Sequence, residues 1–294
     1  MAPTVSVVLP THDRAEFVER AIDSVLGQTY EDFECLVVDD CSSDDTPSVV
    51  RSVEDSRVNL IRHETNRGAS AARNTGIEAA TGEFIAFLDD DDRWHPTKLE
   101  QQLDLLRTSA ERVGLVYCWM EYRDSAETLV TEYCPTYSGW IFPDVLDKQR
   151  IGNSSTLLLP RGVVESVGGF DESLPRGNDG DFIRRVTREY QARYVSETLV
   201  TAYVDHERIT GHDRQSARDA IRGQRVKFEK FGDELARYDE QRAVIYALIG
   251  FRYVQLGQYS RAAVNYTRAI ATAPFCTDVY KQLLRPLRHI LSQQ

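Results

Sequence analysis

The sequence has 294 residues, of which 35 are Lys or Arg and 46 are Asp or Glu, so its formal net charge is −11 with histidines neutral. This acidic balance argues against a nucleic-acid-binding groove, and the sequence has no run of about 18 apolar residues that would predict a membrane span. With 41% hydrophobic residues, the chain can bury a large core, which excludes global disorder and favours one large α/β domain with or without an appendage.

The N-terminal third alternates short apolar runs with amphipathic stretches, a pattern typical of βαβ units around a mainly parallel open sheet flanked by helices. We predict strands over 5–9, 34–38, 58–62 and 84–88. We predict helices over 15–28 and 70–80, the first because its apolar residues recur at helical spacing.

The middle of the chain, from about residue 114 to residue 206, mixes strand and short helix patterns without a Pro-, Gly- or Ser-rich linker. Strands are predicted over 114–119, 128–133, 156–159 and 192–204. From residue 215 onward the pattern is helical, and seven residues fall at the offsets of one tetratricopeptide-like hairpin: Tyr246, Gly250, Tyr253, Ala262, Tyr266, Ala269 and Pro274. We therefore predict an α/β domain over 1–212 and a helical C-terminal extension over 213–294.

The last predicted helix has an apolar stripe with basic residues close by. The stripe consists of Val279, Tyr280, Leu283, Leu284, Leu287, Ile290 and Leu291, and the basic residues are Lys281, Arg285 and Arg288. One interpretation is a helix that covers the hairpin, since a single repeat cannot bury its own face. The other is a basic amphipathic surface that docks on anionic lipid.

Aspartates follow two of the predicted strands. Asp39 and Asp40 come after one strand, and Asp89, Asp90, Asp91 and Asp92 come after the other. Ligands of open α/β sheets bind outside the carboxyl ends of the strands, and clustered carboxylate oxygens suit Mg²⁺ or Mn²⁺ shared with a diphosphate. The alternatives are a solvated acidic loop before a helix near Pro96, which Asp92 would cap, and a helix cap formed by Asp39 and Asp40.

Four segments in register carry a family resemblance: VSVVLPTHDR, LVVDDCSSDDT, NRGASAARNTGIEAATGEFIAFLDDDD and GGFDESLPRGNDGDFIRRV. Together they resemble family 2 glycosyltransferases, which have the GT-A fold. The resemblance implies a metal-dependent, inverting enzyme that moves a sugar from a nucleotide-diphosphate sugar to an acceptor hydroxyl. The implied partners are a nucleotide-sugar donor and a glycan or lipid-linked acceptor.

The resemblance also implies roles for individual residues at the donor site. Pro10 and Asp40 would lie at the nucleotide base, with Asp39 shaping the pocket. Arg73 would contact the nucleotide or its phosphates, or it would form a salt bridge to the aspartate loop. Asp89 or Asp90 would face the ribose, and Asp91 would be the ligand of Mn²⁺ or Mg²⁺.

The segment GNDGDF lies where family members carry an acidic pair whose second member is the catalytic base. Asn178 occupies the first position here and Asp179 the second, so the resemblance implies Asp179 as the base. Asp179 would otherwise cap the helix that it opens, and Asp181 is a weaker candidate for the base. His206 and His212 lie on a polar loop, as surface residues or as a third metal ligand or phosphate contact.

Other functions are less favoured by the sequence. It contains neither GxGxxG nor GxxxxGK[ST], which disfavours dinucleotide oxidoreductases and P-loop enzymes. A non-catalytic nucleotide-sugar-binding or interaction module that uses the helical tail stays open. We expect a cytoplasmic location, with peripheral contact to the cytoplasmic face of a membrane, because charged residues follow the N-terminus too early for a secretory signal. The sequence does not set an oligomeric state.

Overall fold

The computed structural model describes residues 2–109, 112–174, 176–204 and 214–291. These residues form two compact units. The first takes its described residues from 1–142, 150–172 and 178–206, and the second from 143–149, 173–177 and 207–294. The second unit therefore includes two short segments that lie inside the N-terminal region of the sequence, and the boundary at residues 212 and 213 stays a prediction.

The first four strands are parallel, as the βαβ pattern predicts. They are β1 (Val5–Thr11), β2 (Phe33–Asp39), β3 (Val58–Arg62) and β4 (Phe84–Phe87). Strand β1 lies between β2 and β4, with Thr11 opposite Asp39 and Val8 opposite Phe87. Every residue of β1 is buried, as is typical of a strand covered on both faces.

The remaining strands complete a mixed sheet. They are β5 (Asp92–Trp94), β6 (Val113–Arg123), β7 (Leu129–Tyr133), β8 (Leu157–Pro160) and β9 (Gln191–Tyr203). Among the described residues the strand order is β3-β2-β1-β4-β8-β6-β9-β5, and β7 pairs with β6. Strand β8 is antiparallel to both β4 and β6, so a strand that is late in sequence joins the two halves of the sheet.

Helices flank the sheet of the first unit. They are α1 (Ala15–Leu26), α2 (Thr46–Ser52), α3 (Ala69–Ala79), α4 (Lys98–Arg107), α5 (Phe142–Val145, which reaches into the second unit), α6 (Arg161–Val167) and α7 (Asn178–Glu189). Helix α1 buries Val18, Ala21 and Ile22, part of the predicted stripe. Helix α3 lies directly on β1, because a Cβ atom at Gly76 would collide with the side chain of Val8.

The second unit is built from helices α8 (Arg214–Leu235), α9 (Asp239–Gln255), α10 (Tyr259–Thr272) and α11 (Thr277–Leu291). Its core includes Ala247, Ala269 and Val279, one from each of the last three helices. Gly250 allows α9 to approach α10, since a Cβ atom there would lie 2.8 Å from the ring of Tyr266. The predicted helical extension is confirmed, while its tetratricopeptide-like character stays a prediction. In the part of the chain that the structure describes, no helix is both long and apolar enough to cross a bilayer.

Candidate active site

The predicted site residues of the first unit lie at one edge of its sheet and at the start of α7. Pro10 is the last residue but one of β1, Asp39 is the last residue of β2, and the aspartate loop follows β4. Asp179 is the second residue of α7. The parallel strands place these residues together because their carboxyl ends share one edge.

Asp40 is saturated by hydrogen bonds from the loop before α3. Its Oδ1 accepts from the backbone N–H of Arg67 at 2.9 Å and lies 2.7 Å from Nδ1 of His63, while Oδ2 accepts from the N–H of Gly68 at 2.6 Å. Burial alone would raise the pKa of Asp40, but these hydrogen bonds together hold it below its ordinary value. Asp40 therefore organises the loop in which Gly68 adopts a φ of 90°.

Asp39 differs from Asp40 because one of its carboxylate oxygens lacks a hydrogen bond. Oδ1 accepts from the backbone N–H of Ser42 at 3.0 Å. Nε of Arg62 lies 2.9 Å from Oδ2, but Oδ2 is buried and has no hydrogen-bond partner among the described residues. Neither aspartate caps α2, which begins at Thr46, so the helix-cap interpretation is wrong for both residues.

Arg73 connects the aspartate loop with α7. Its Nη2 donates to Oδ1 of Asp89 at 2.6 Å and to the Ser154 hydroxyl at 3.3 Å, and its Nη1 lies 3.9 Å from Oδ1 of Asp179. Burial opposes the charge of the guanidinium, yet the two carboxylates raise the pKa of Arg73 above its ordinary value. The structure thus contains the predicted salt bridge to the aspartate loop, and a contact of Arg73 with the nucleotide stays a prediction.

The four consecutive aspartates occupy different environments. Asp89 faces Arg73 and Ser154, and its backbone N–H donates to the Ser155 hydroxyl at 3.0 Å. Desolvation and the neighbouring carboxylates Asp91 and Asp89 raise the pKa of Asp90 to about 7, against the opposing effect of Thr11. The surroundings of Asp90 therefore favour its neutral form more than solvent does, chiefly because the carboxyl group is buried.

Asp92 belongs to the sheet and not to a helix cap. It begins β5, and its Oδ2 accepts from the Asn153 amide at 2.7 Å and from the Ser155 hydroxyl at 2.6 Å. Helix α4 begins six residues later, at Lys98 after Thr97. Burial raises the pKa of Asp92 well above its ordinary value, as the burial of a carboxyl group in an apolar interior requires.

The aspartate loop fits a divalent cation by the type of its donors, although it does not form a complete protein cage. No group of three or more His, Cys, Asp or Glu side chains within the described ranges is arranged to hold a metal ion. Asp91 is half-buried at the tip of the loop. Mg²⁺ and Mn²⁺ accept one or two carboxylates together with substrate phosphates and water, so this donor set suits an ion that arrives with a diphosphate.

Asp179 has a carboxylate oxygen that no described group contacts by a hydrogen bond. Oδ2 accepts weakly from the backbone N–H of Ser154 at 3.4 Å, whereas Oδ1 is buried and has no hydrogen-bond partner. Desolvation raises the pKa of Asp179, the Arg73 guanidinium opposes this effect, and Asp89 adds to it. A carboxylate with a raised pKa and an unused oxygen is suited to accept a proton.

The neighbours of Asp179 on α7 have other functions. Asn178 precedes it and donates to the Ser70 hydroxyl at 2.6 Å, tying α7 to α3. Asp181 accepts from Nε of Arg185 at 2.9 Å, one turn further along the same helix. Arg185 in turn donates to the carbonyl oxygen of Gly169 at 2.6 Å. Asp181 therefore stabilises the entry to α7, and its engaged oxygen favours Asp179 over Asp181 as the proton acceptor.

The segment before β8 is the part of the site that sequence reasoning missed. Asn153, Ser154 and Ser155, partly in a 3₁₀ turn over Ser154–Thr156, contact Asp89, Asp92 and Asp179. Its only signal in the sequence is a run of small polar residues directly before a strand. His206 and His212 lie outside the described residues.

The comparisons with known proteins agree with this geometry. The model of glycosyl transferase family 2 matches residues 6–138. Two uncharacterized glycosyltransferases, from Rickettsia prowazekii and Rickettsia typhi, are each 30% identical to the chain over 70% and 75% of its length. The matches cover 62% and 68% of those two proteins.

A third relative has a more specific name. The UDP-Glc:alpha-D-GlcNAc-diphosphoundecaprenol beta-1,3-glucosyltransferase WfgD of Escherichia coli is 45% identical over 102 residues, which cover 35% of this chain and 40% of WfgD. The chain therefore spans less than half the length of this relative.

Solved structures share the fold over nearly the whole chain. TarS from S. aureus has a TM-score of 0.64 at 19% identity, with 98% of this chain and 86% of that chain covered. The mannosyltransferase PcManGT from Pyrobaculum calidifontis, in complex with GDP-Man and Mn²⁺, has a TM-score of 0.60 at 19% identity, with 100% and 81% covered. These likenesses confirm the predicted GT-A type of fold, an open α/β sheet flanked by helices.

Proposed function

This chain belongs to glycosyl transferase family 2, and on that premise we propose that it moves a sugar from a nucleotide-diphosphate sugar to an acceptor hydroxyl, with inversion at the anomeric carbon. One observation carries the proposal: Arg73 lies within 2.6 Å of Asp89 and 3.9 Å of Asp179. The aspartate loop that would face the donor and the carboxylate that would take the proton of the acceptor are thereby held in one cluster.

The nucleotide would bind at the ends of β1 and β2, beside Pro10, Asp39 and Asp40. Oδ2 of Asp39 is buried and forms an ion pair with Nε of Arg62 at 2.9 Å, and a carboxylate oxygen that pairs with one cation keeps a further lone pair for a ring N–H of uracil or guanine. The resemblance implies Asp40 at the base, but its oxygens already hold the loop before α3, so we propose that Asp39 makes the contact with the base and that Asp40 contributes indirectly. Asp89 or Asp90 would face the ribose.

Asp91 would hold Mn²⁺ or Mg²⁺ together with oxygens of the donor diphosphate. A bound divalent ion would supply Lewis-acid stabilisation of the negative charge on the diphosphate. The carboxylate character of the loop supports this assignment, since hard cations prefer oxygen donors. Arg73, with its charge maintained by two carboxylates, would keep the aspartate loop fixed before the donor arrives.

Asp179 would act as the general base of a single displacement. The acceptor oxygen would form a bond to the anomeric carbon while its proton moves to Oδ1 of Asp179. The bond between the anomeric carbon and the diphosphate oxygen would break on the opposite face, and its electron pair would leave with the nucleoside diphosphate. Inversion follows because only one displacement takes place, and general-base catalysis of this kind contributes about 10²- to 10⁴-fold.

The acceptor would be a glycan or a lipid-linked glycan. The name of WfgD, which specifies a diphosphoundecaprenol-linked sugar, supports the lipid-linked class for this chain. Such an acceptor lies in a bilayer, so the proposal includes peripheral contact of the protein with the cytoplasmic face of a membrane.

A thermal-shift screen tests the donor part of this proposal. Unfolding midpoints would be measured with UDP, GDP and ADP, each with Mn²⁺ or with EDTA. We expect one nucleotide to raise the midpoint, and Mn²⁺ to increase that rise, because a ligand that binds only the native state stabilises it by mass action. A midpoint that no nucleotide raises would contradict donor binding. Donor binding without any sugar transfer or donor hydrolysis would instead favour the non-catalytic module.

A further inference from the structure

The C-terminal helices of the second unit have a charge opposite to that of the whole chain. Residues 257–294 contain one acidic residue, Asp278, and five basic residues: Arg261, Arg268, Lys281, Arg285 and Arg288. The complete chain carries −11. A local cationic region in an acidic protein indicates a surface that attracts anionic partners.

An apolar patch lies at the turn between α10 and α11. Phe275 is 92% exposed, although Ala273 and Cys276 on either side of it are buried and anchor the turn. The fold therefore holds this large side chain in solvent instead of leaving it at a loose end. An exposed apolar side chain indicates a binding surface when it belongs to a contiguous apolar patch.

The first turns of α11 extend the patch. The Tyr280 hydroxyl donates to the carbonyl oxygen of Pro274 at 2.6 Å, so the tyrosine side chain reaches back to the turn that carries Phe275. Leu284 follows Tyr280 by four residues on the same face of the helix, and the two side chains are 42% and 50% exposed. Phe275, Tyr280 and Leu284 together form what we call the docking patch.

Two basic side chains border the docking patch on α11. Lys281 and Arg285 follow Tyr280 and Leu284 directly, and both are exposed. Lys281 donates to Asp278 at 2.8 Å, but Asp278 also accepts from Lys148 at 3.0 Å, so two cations share one carboxylate. The Arg285 guanidinium lies 4.8 Å from the ring centroid of Phe251. A positive charge therefore remains beside the apolar side chains.

The apolar stripe on α11 has a buried part and an exposed part. Val279 is fully buried in the core of the second unit, and Leu283 packs against that core. Tyr280 and Leu284 project in the other direction. The helix thus covers the α9–α10 hairpin with one face and presents a second apolar face, bordered by cations, to solvent.

We infer that the docking patch binds an anionic lipid bilayer, with Phe275, Tyr280 and Leu284 in the interfacial region and Lys281 and Arg285 against the lipid phosphates. Aromatic and aliphatic side chains beside basic residues are the combination that binds anionic interfaces. The inference deepens the proposed function, since it names the surface that would bring the protein to a lipid-linked acceptor, and in that sense it rests on that function.

A second copy of the chain fits this surface less well than a bilayer. A two-fold contact would place Lys281 and Arg285 of the two copies near each other, where like charges repel. Three apolar side chains also supply much less than the roughly 800 Å² per partner that a stable protein interface buries. A bilayer needs no such area, and its anionic headgroups attract the cations.

Vesicle co-sedimentation of the full chain tests the inference. Vesicles would contain either phosphatidylcholine alone or phosphatidylcholine with about 30% phosphatidylglycerol, which is anionic. We expect binding to the anionic vesicles that weakens as salt is raised, and at least about tenfold weaker binding to phosphatidylcholine alone. Equal binding to the two vesicle types, or no binding to either, would overturn the inference.

Substitutions locate the binding surface. Phe275→Ser with Leu284→Ser should weaken binding about tenfold, and Lys281→Gln with Arg285→Gln should weaken it and remove most of its dependence on salt. The matched control is Leu129→Ser with Val130→Ser on β7 in the first unit, since these two apolar side chains are also exposed. Unchanged binding in the patch variants, or an equal loss in the control variant, would overturn the assignment.

Two further measurements separate the possible causes of failure. Light scattering after size exclusion would show whether the patch variants change the oligomeric state; a change without lipid binding would assign the patch to contacts between copies and overturn the inference. Nucleotide-induced thermal shifts of the same variants report on donor binding and folding. Lipid binding can then fail while donor binding persists, which distinguishes failure of this inference from failure of the proposed sugar transfer.

Discussion

Arg73 donates a 2.6 Å hydrogen bond to Asp89, which lies at the end of a strand 16 residues later in the chain. The pair joins α3 to the aspartate loop, and the guanidinium is almost completely buried. A charge in this position needs its partner, because an unpaired buried ion is costly. Asp179 is the second carboxylate near Arg73, and it also interacts with the positive charge of the guanidinium.

Replacing Asp179 tests the general base. Asp179→Asn should bind the donor with unchanged affinity and transfer sugar about 10²- to 10⁴-fold more slowly, because asparagine keeps the size of the side chain but cannot accept a proton at neutral pH. Single-turnover kinetics at saturating donor measure the transfer step, and calorimetric titration measures donor affinity.

Asp181→Asn is the matched control on the same helix. Since Asp181 is buried and paired with Arg185, this variant should lose stability and keep its rate of transfer. An inactive Asp181 variant combined with an active Asp179 variant would move the base by two residues and contradict the assignment.

The charge of Arg73 sets the pH dependence of transfer. Arg73 lowers the pKa of Asp179 against the effect of burial, so Arg73→Met should raise that pKa. The base must be ionised to act, and the acidic limb of kcat/KM should therefore move upward by about one pH unit or more. Arg73→Lys, which keeps a positive charge, should shift the limb less. A pH profile of the Met variant that coincides with that of the native enzyme would exclude this coupling.

Asp91→Ala should abolish the effect of Mn²⁺ on donor binding while leaving the protein folded. Removing one carboxylate from a crowded loop relieves repulsion, so the unfolding midpoint should stay level or rise. Titration with nucleotide-sugar in Mn²⁺ and in EDTA measures the effect. Asp92→Asn is the control, since Asp92 is held inside β5 by Asn153 and Ser155, and it should retain the response to Mn²⁺. Unchanged Mn²⁺ dependence in Asp91→Ala would remove Asp91 from the metal site.

The two aspartates after β2 should respond differently to the same change. Asp39→Asn should weaken nucleotide binding about tenfold or more, because an amide N–H would face the ring N–H of the base. It should cost less stability than the change at Asp40, because its ion-pair partner Arg62 is partly exposed to solvent and can be rehydrated. Asp40→Asn should mainly destabilise the protein, by about 1–3 kcal/mol, since one of three donors to Asp40 loses its acceptor. Urea unfolding and nucleotide titration of both variants separate the two roles. A larger loss of stability in Asp39→Asn together with a larger loss of nucleotide binding in Asp40→Asn would contradict these two roles.

A buried lysine should make the free energy of unfolding vary with pH in the alkaline range. Lys98 is fully buried, donates to Gln102 at 2.7 Å and lies 3.9 Å from the Trp94 ring centroid. Burial lowers the pKa of Lys98 from 10.5 to about 8. Between these two values the unfolded chain binds a proton that the folded chain lacks, so the free energy of unfolding should rise with pH across this window.

The variant Lys98→Met isolates that effect. Its stability relative to the native protein should fall by about 2–3 kcal/mol between pH 7 and pH 10.5, because only the native protein gains stability there. Urea unfolding at several pH values measures the difference. A difference that does not vary with pH would show that Lys98 titrates at its ordinary pKa.

Much of the fold could be predicted because burial on both faces of a parallel strand produces short apolar runs. The strand over Val58–Arg62 has the predicted bounds, and Val5–Thr11 extends the predicted 5–9 by two residues. Strand β5 could not be predicted, since its three residues include Asp92 and Arg93 and show no apolar run. Its pairing with β9 is a tertiary contact that no local pattern encodes.

The same distinction applies to the candidate site. The strand ends predict that Asp39 and Asp89 share an edge of the sheet, because that follows from parallel topology alone. The individual environments of Asp89, Asp90, Asp91 and Asp92 depend on partners that are distant in sequence, such as Ser155, which is 63 residues from Asp92. Which aspartate is paired, crowded or buried is therefore decided by tertiary structure.

The position of β8 has a consequence for the order in which the protein matures. This strand lies between β4 and β6, and both of these precede it in the chain. A nascent chain that has not yet supplied Leu157–Pro160 therefore cannot close the sheet. Ser154 and Ser155 lie directly before β8, so their hydrogen bonds to Asp89 and Asp92 form when β8 joins the sheet. Incomplete chains would thus have an aspartate loop without its hydroxyl partners. The site would be complete only after β8 has joined the two halves of the sheet.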